Sequence, residues 1–199
     1  MNQRTLLGRL LSPAGFGLVL LMFLLPFLTV SCGETNEIKS TFTGIDLVVG
    51  GSPDIVGPGV DADVENELIA LFSDHLDLEP LMLLATLAVL AGMIAGLIRE
   101  RLARHGVGTG LAVLAGALIV SAIMRAPARV DAAISALDTA ATPSLPASSV
   151  ETRYGFWLAL GLLALLAAGH AAALARAWRT PAPAPPGAVD PEEQRAIDG

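Results

Sequence analysis

At 199 residues, with 53% hydrophobic and only 16% charged side chains, the chain is far more apolar than a soluble domain, whose charged share is about a quarter. That balance excludes an ordinary soluble globular domain and reads as a membrane protein. A formal net charge of −7 gives no electrostatic footprint for nucleic acid.

The apolar residues gather into four blocks, which predict transmembrane helices over residues 10–31, 80–98, 107–124 and 155–176. Each is close to the roughly 20 residues that a helix needs to cross about 30 Å of hydrocarbon. None of the apolar cores contains Asp, Glu, Lys or Arg, the residue types that mark proton relays and ion paths inside spans. The expected fold class is an all-α membrane protein, a four-transmembrane-helix bundle. Its small extracytoplasmic cap would contain a short strand or hairpin and an amphipathic helix.

Arginines set the expected orientation. Arg4 and Arg9 precede the first block, Arg99, Arg101 and Arg104 fill the turn over 99–106, and Arg176 and Arg179 follow the fourth block. The positive-inside rule makes those places cytoplasmic, so both termini lie inside and two loops, 32–79 and 125–154, lie outside. Arg125, Arg129 and Arg153 run against this assignment, with Asp131, Asp138 and Glu151 beside them.

In chain order, residues 1–9 form a short basic cytoplasmic start. The first span carries Pro26, which removes a backbone bond and predicts a kink. Its outer end, Thr29-Val30-Ser31-Cys32, fits a lipoprotein signal poorly, because the apolar run is too long and Thr29 stands where an aliphatic residue is usual. Cys32 is the sole cysteine and forms no intrachain disulfide.

In the first outer loop, Ile38 and Phe42 alternate with polar and β-branched residues and predict a short strand. Thr43-Gly44 interrupts it, and the apolar run Ile45 to Val49 is stopped by Gly50-Gly51, which fits either a second strand or one helical turn. Residues 61–77 have helical periodicity, with Val64, Leu68, Leu71, Phe72 and Leu76 on one stripe. The acidic cluster Asp61, Asp63, Glu65 and Glu67 lacks the glycine and terminal acid of a calcium loop and reads as a solvated helix face.

The second and third spans carry small residues at helix-packing spacing, Ala88, Gly92 and Gly96, then Ala112 and Gly116. In the second outer loop, Val130, Ile134 and Leu137 predict a short helix on the membrane face. Arg125 and Arg129 at its start are the candidates for pairing with the acidic first loop. Tyr154, Phe156 and Trp157 mark the outer interface of the fourth span and Trp178 the inner one. His170, within that span, reads as an interhelical hydrogen-bonding group rather than a haem ligand. Residues 177–199 read as a disordered cytoplasmic tail.

Pro26-Phe27, Val30-Ser31-Cys32, Thr43-Gly44-Ile45-Asp46-Leu47, Gly50 and Tyr154-Gly155-Phe156-Trp157-Leu158 together resemble a group of uncharacterised four-span membrane proteins of high-GC Gram-positive, actinobacterial, bacteria. The resemblance implies a multi-pass plasma-membrane location and no activity.

No nucleophile and base, and no metal-ligand spacing, occur together in the sequence, so it points to a non-enzymatic protein without cofactors. Phe42, Asp46 and Leu47 are the candidate partner-binding residues of the outer loops. The expected partners are the lipid bilayer and either another membrane protein or further copies of the chain. An alternative reading is a homo-oligomeric transporter or pore component lined by Thr86, Thr109, Ser121 and His170.

Overall fold

A computed structural model describes residues 3–32, 38–51, 54–57, 79–98, 100–138 and 149–179. The predicted amphipathic helix over 61–77, with its acidic cluster, and the tail beyond residue 179 lie outside the described residues. The elements run α1 (Gln3–Met22), β1 (Pro26–Cys32), β2 (Ile38–Thr43), α2 (Gly44–Val49), β3 (Asp54–Val56), α3 (Pro80–Ala95), α4 (Arg101–Asp138), β4 (Ser149–Thr152) and α5 (Tyr154–Arg179). The protein is mostly helical with one small sheet.

The first apolar block does not continue as a helix to residue 31. It ends at Met22, and Phe23, Leu24 and Leu25 close a tight turn by donating to the carbonyls of Leu20, Leu21 and Met22. The cause is Pro26, which has no N–H to give a helix and pushes Leu25 toward extended backbone. Phe27 to Ser31 then form an inner strand of the sheet, where Phe27, Leu28, Thr29, Val30 and Ser31 are all buried. A near-continuous apolar run is what a strand covered on both faces requires, and by hydropathy alone it cannot be told from buried helix.

The sheet has the order β3-β2-β1-β4, with every neighbouring pair antiparallel. Val30 stands opposite Ser40 on one side and Val150 on the other. At the end of β2 the chain takes a helical turn instead of a second strand. Thr43 caps α2 through a reciprocal box: its hydroxyl accepts from the Asp46 N–H at 3.2 Å, and the Asp46 carboxylate accepts from the Thr43 N–H at 2.8 Å. Gly50, at φ 71°, closes the helix in the left-handed conformation that glycine adopts without strain.

Two helices contain stretches long and apolar enough to cross a membrane, Leu102–Ala132 and Tyr154–Arg179, and Pro13–Met22 and Pro80–Ala95 are shorter apolar helices. The third apolar block and the predicted membrane-face helix after it are one element. α4 runs unbroken for 38 residues through Pro127, because alanine-rich flanks favour helix and Ile123 and Val130 bury on either side of the proline. At about 1.5 Å per residue it is roughly 57 Å long, well beyond about 30 Å of hydrocarbon. His105, expected in a connecting turn, therefore lies on this helix.

The helices pack in the cyclic order α1, α3, α4, α5 and back to α1. Gly92 and Gly96 seat α1 against α3: a side chain at Gly92 would meet the Phe16 ring at 2.5 Å, and one at Gly96 would meet the Pro13 Cδ at 2.9 Å. The core runs continuously from Phe16, Val19, Met82, Val89 and Ile119 between the helices to Phe27, Val30 and Phe42 in the sheet. The sheet thus belongs to the same hydrophobic unit as the helix ends it covers.

Candidate functional site beneath the sheet

The sheet is tied to the helices at short intervals. A three-residue turn joins α1 to β1, and Arg153 alone separates β4 from α5. The Arg153 N–H donates to the Phe27 carbonyl at 2.9 Å, and its Nε donates to the Thr29 hydroxyl at 2.8 Å. The start of α2 is held by the turn after α1, where the Gly44 and Ile45 N–H groups donate to the Leu25 and Phe23 carbonyls. These bonds fix α2 and the sheet as a cap over one end of the helices.

Between cap and helices lies a cavity of about 50 Å³. Leu28, Val30, Phe42 and Leu47 wall it from the cap, Met82 from α3, and Ala122, Ile123, Ala126 and Val130 from α4. Among the described residues, three charged side chains join this apolar lining: Asp46, Glu79 and Arg129. The length of α4 explains the last of them, since a helix ending at residue 124 would bring neither Arg129 nor Val130 here.

Glu79 is the N-cap residue of α3, with Pro80 following, yet its carboxylate makes no cap bond to its own helix. It turns instead to Arg129, whose guanidinium pairs with Oε2. The Glu79 N–H donates to the Leu47 carbonyl at 3.4 Å, linking the residue to α2. Glu79 is only 8% exposed, and its second oxygen, Oε1, is buried without a hydrogen-bond partner among the described residues. An unpaired acceptor in an apolar surrounding carries a desolvation cost that a donor would relieve.

Of the sequence-derived candidates, the cavity brings together Phe42, Asp46, Leu47 and Arg129. Asp46, Leu47 and Arg129 are half-buried. Phe42 is 4% exposed within the core, and Asp46 Oδ2 is held by the Thr43 hydroxyl at 2.6 Å as well as by the backbone. Arg125 is exposed and does not line the cavity. Glu79 escaped the sequence reading because a lone acid before Pro80 looks like a helix start. The signal that could have found it is the spacing of Arg125, Arg129 and Val130 in one continuous helical frame.

A second polar group lies near the opposite end of the helices. His105 on α4 and His170 on α5 approach Nδ1 to Nδ1 at 3.1 Å, the interhelical bond expected of His170, here with a partner the sequence reading placed in a turn. Phe16 stacks on His170 with ring centroids 6.3 Å apart, and Gly108 gives the imidazole room. Arg104 beside them is 7% exposed, with a buried Nε lacking a hydrogen-bond partner among the described residues. Among the described residues, no three His, Cys, Asp or Glu side chains gather to hold a metal ion.

The hydroxyls considered as a pore lining are used within their own helices. Thr86 donates to the Met82 carbonyl, Thr109 to His105 and Ser121 to Ala117, each one turn back at 2.8 to 2.9 Å. No protein-family model matches the chain, and no curated protein sequence matches it significantly.

Proposed function

We propose that the chain is a four-span plasma-membrane protein whose cap lies outside the cell and serves, without catalysis, as an interaction module for another membrane polypeptide. The observation that carries this reading is the separation of the two ends. The sheet, α2 and the Glu79–Arg129 pair occupy one end, while Arg101 and Arg104 at the start of α4 and Arg176 and Arg179 in the last turns of α5 mark the other. Arginines at one end of apolar helices favour the cytoplasmic side, which turns the cap outward. In this reading α1 and α3 also cross the membrane, α3 with the apolar turn from Gly96 to Ile98 extending its 16 residues. The resemblance to four-span actinobacterial proteins supports the same topology.

The face offered to a partner is on α2. Ile45 and Val49, one turn apart, are 44% and 60% exposed, whereas Phe42 and Val48 are turned inward. Exposed apolar pairs on a rigid element are a common basis for association, and the capping bonds keep this one in a fixed orientation. Native mass spectrometry of the protein extracted in mild detergent from its own membrane tests the proposal. A complex with a second polypeptide that is lost on Ile45→Ser/Val49→Ser, with unchanged insertion, is the expected result. Association that persists in that variant, or a bare monomer throughout, contradicts it. The alternative of a homo-oligomeric pore has less support, because Thr86, Thr109 and Ser121 are bonded within their own helices.

A further inference from the structure

The buried oxygen of Glu79 has a chemistry that partner binding on the outer face of α2 does not use. Its carboxylate lies at an apolar cavity of about 50 Å³, beneath the cap and out of reach of Ile45 and Val49. A water molecule needs on the order of 10–15 Å³ of such space and two to four polar partners. The void therefore exceeds one water, while Leu28, Val30, Met82 and Ile123 in its walls offer side chains that bond none. Arg129 satisfies only Oε2, from a position where its own side chain is 39% exposed. Oε1 is buried with no donor among the described residues.

Charge narrows the occupant further. Among the described residues, two carboxylates, Asp46 and Glu79, line the cavity against one guanidinium, a formal excess of one negative charge. Gly51 lies so close to Asp46 that a Cβ there would meet Oδ1 at 2.5 Å, so glycine leaves that side of the carboxylate without a side chain of its own. Phe42 adds the aromatic surface that ammonium groups favour.

We propose that the cavity binds a primary ammonium group carried on a short apolar chain, with Glu79 Oε1 accepting its hydrogen bond and Arg129 holding the other carboxylate oxygen. The space admits a head group and a few carbons, not a whole amphiphile. An ethanolamine lipid headgroup and a diffusible alkylamine present the same chemistry.

The test uses the full chain in detergent with n-butylammonium as the probe and n-butanol and butyrate as matched controls, binding being read by titration calorimetry. Butylammonium should bind saturably and at least tenfold tighter than butanol, with butyrate not binding. Glu79→Gln should weaken it at least tenfold. Ala126→Leu, which fills the cavity and keeps the carboxylate, should do the same even if Glu79→Gln folds poorly. Glu151→Gln, on the exposed face of β4, should leave binding unchanged. Native mass spectra from nanodiscs then separate the sources. Retention of phosphatidylethanolamine over phosphatidylglycerol by the wild type, lost in Ala126→Leu, identifies the headgroup, and butylammonium binding without lipid preference identifies a diffusible amine. Equal binding of butylammonium and butanol, or binding indifferent to both variants, overturns the proposal and leaves Glu79 with water alone. Loss of the α2-dependent complex with intact butylammonium binding would count against the interaction module and not against this site.

Discussion

Removing the Arg129 guanidinium while keeping Glu79 would strand a carboxylate that is 8% exposed against apolar walls. Arg129→Met should therefore lower stability by about 1–3 kcal/mol, toward the smaller end because solvent screens the half-exposed arginine. The double replacement with Glu79→Met should recover much of that loss, since two apolar groups leave nothing unpaired. Thermal unfolding in detergent separates the two outcomes, and a double variant as unstable as Arg129→Met contradicts the assignment. At the other end of the helices, His105 and His170 share one hydrogen bond between α4 and α5. A double-mutant cycle with alanine at both positions should give a coupling of about 0.6 kcal/mol, with about 1.7 as the ceiling for such pairs in membranes. Zero coupling would show that the contact does not contribute to holding these helices. Thr43→Ala removes the hydroxyl that accepts from the Asp46 N–H, and should cost α2 about 1 kcal/mol, while Thr43→Ser should cost little.

Elements differ in how plainly the sequence announced them, and the reasons are physical. β2 was legible because Ile38 and Phe42 alternate with polar and β-branched residues, and the stop of α2 was legible in Gly50-Gly51. Whether Ile45 to Val49 formed strand or helix was not, because the capping box depends on Thr43 and Asp46 meeting in space. β1 was hidden inside an apolar run whose hydropathy suits a membrane helix equally well. Only Pro26 and the β-branched Thr29 and Val30 hinted that the chain changes from helix to strand there. β4 was hidden for another reason: four residues cannot show a period, and Ser149 to Thr152 become a strand only because Leu28 to Ser31 pair with them. The continuity of α4 was missed because Arg125 and Pro127 look like a span's end. Yet Glu79, Phe42 and Arg129 come together only through that continuity. An inner-strand proline is the corresponding test. Val30→Pro removes a strand donor and disturbs β1 between its two partners, so limited proteolysis should cut the cap readily while α4 and α5 still insert. A cap as resistant as the wild type would mean that β1 does not organise it.

At the scale of the molecule, composition pointed to a membrane protein and the sequence pattern to a small cap with a short strand, but not to a four-stranded sheet that takes in the end of the first apolar block. Hydropathy counts residues that avoid water without saying whether lipid, helix or sheet covers them. Phe27, Leu28 and Val30 are buried like Phe16 and Val19, but within a strand of the sheet. The outcome is a helical unit in which two polar clusters of the described residues lie at opposite ends. One end has a carboxylate and a guanidinium beneath a sheet, and the other has two imidazoles and a buried arginine. The account depends on these ends facing opposite sides of the membrane.

Cysteine labelling in whole cells tests that most directly. In a Cys32→Ser background, single cysteines replace Val56 in the cap, Leu97 in the turn between α3 and α4, and Trp178 near the end of α5, positions 64%, 75% and 78% exposed. A membrane-impermeant maleimide should label Val56→Cys in intact cells, and should reach Leu97→Cys and Trp178→Cys only after permeabilisation. Labelling of all three in intact cells, or of Leu97→Cys and Trp178→Cys alone, would contradict the proposed topology and with it an outward-facing cap.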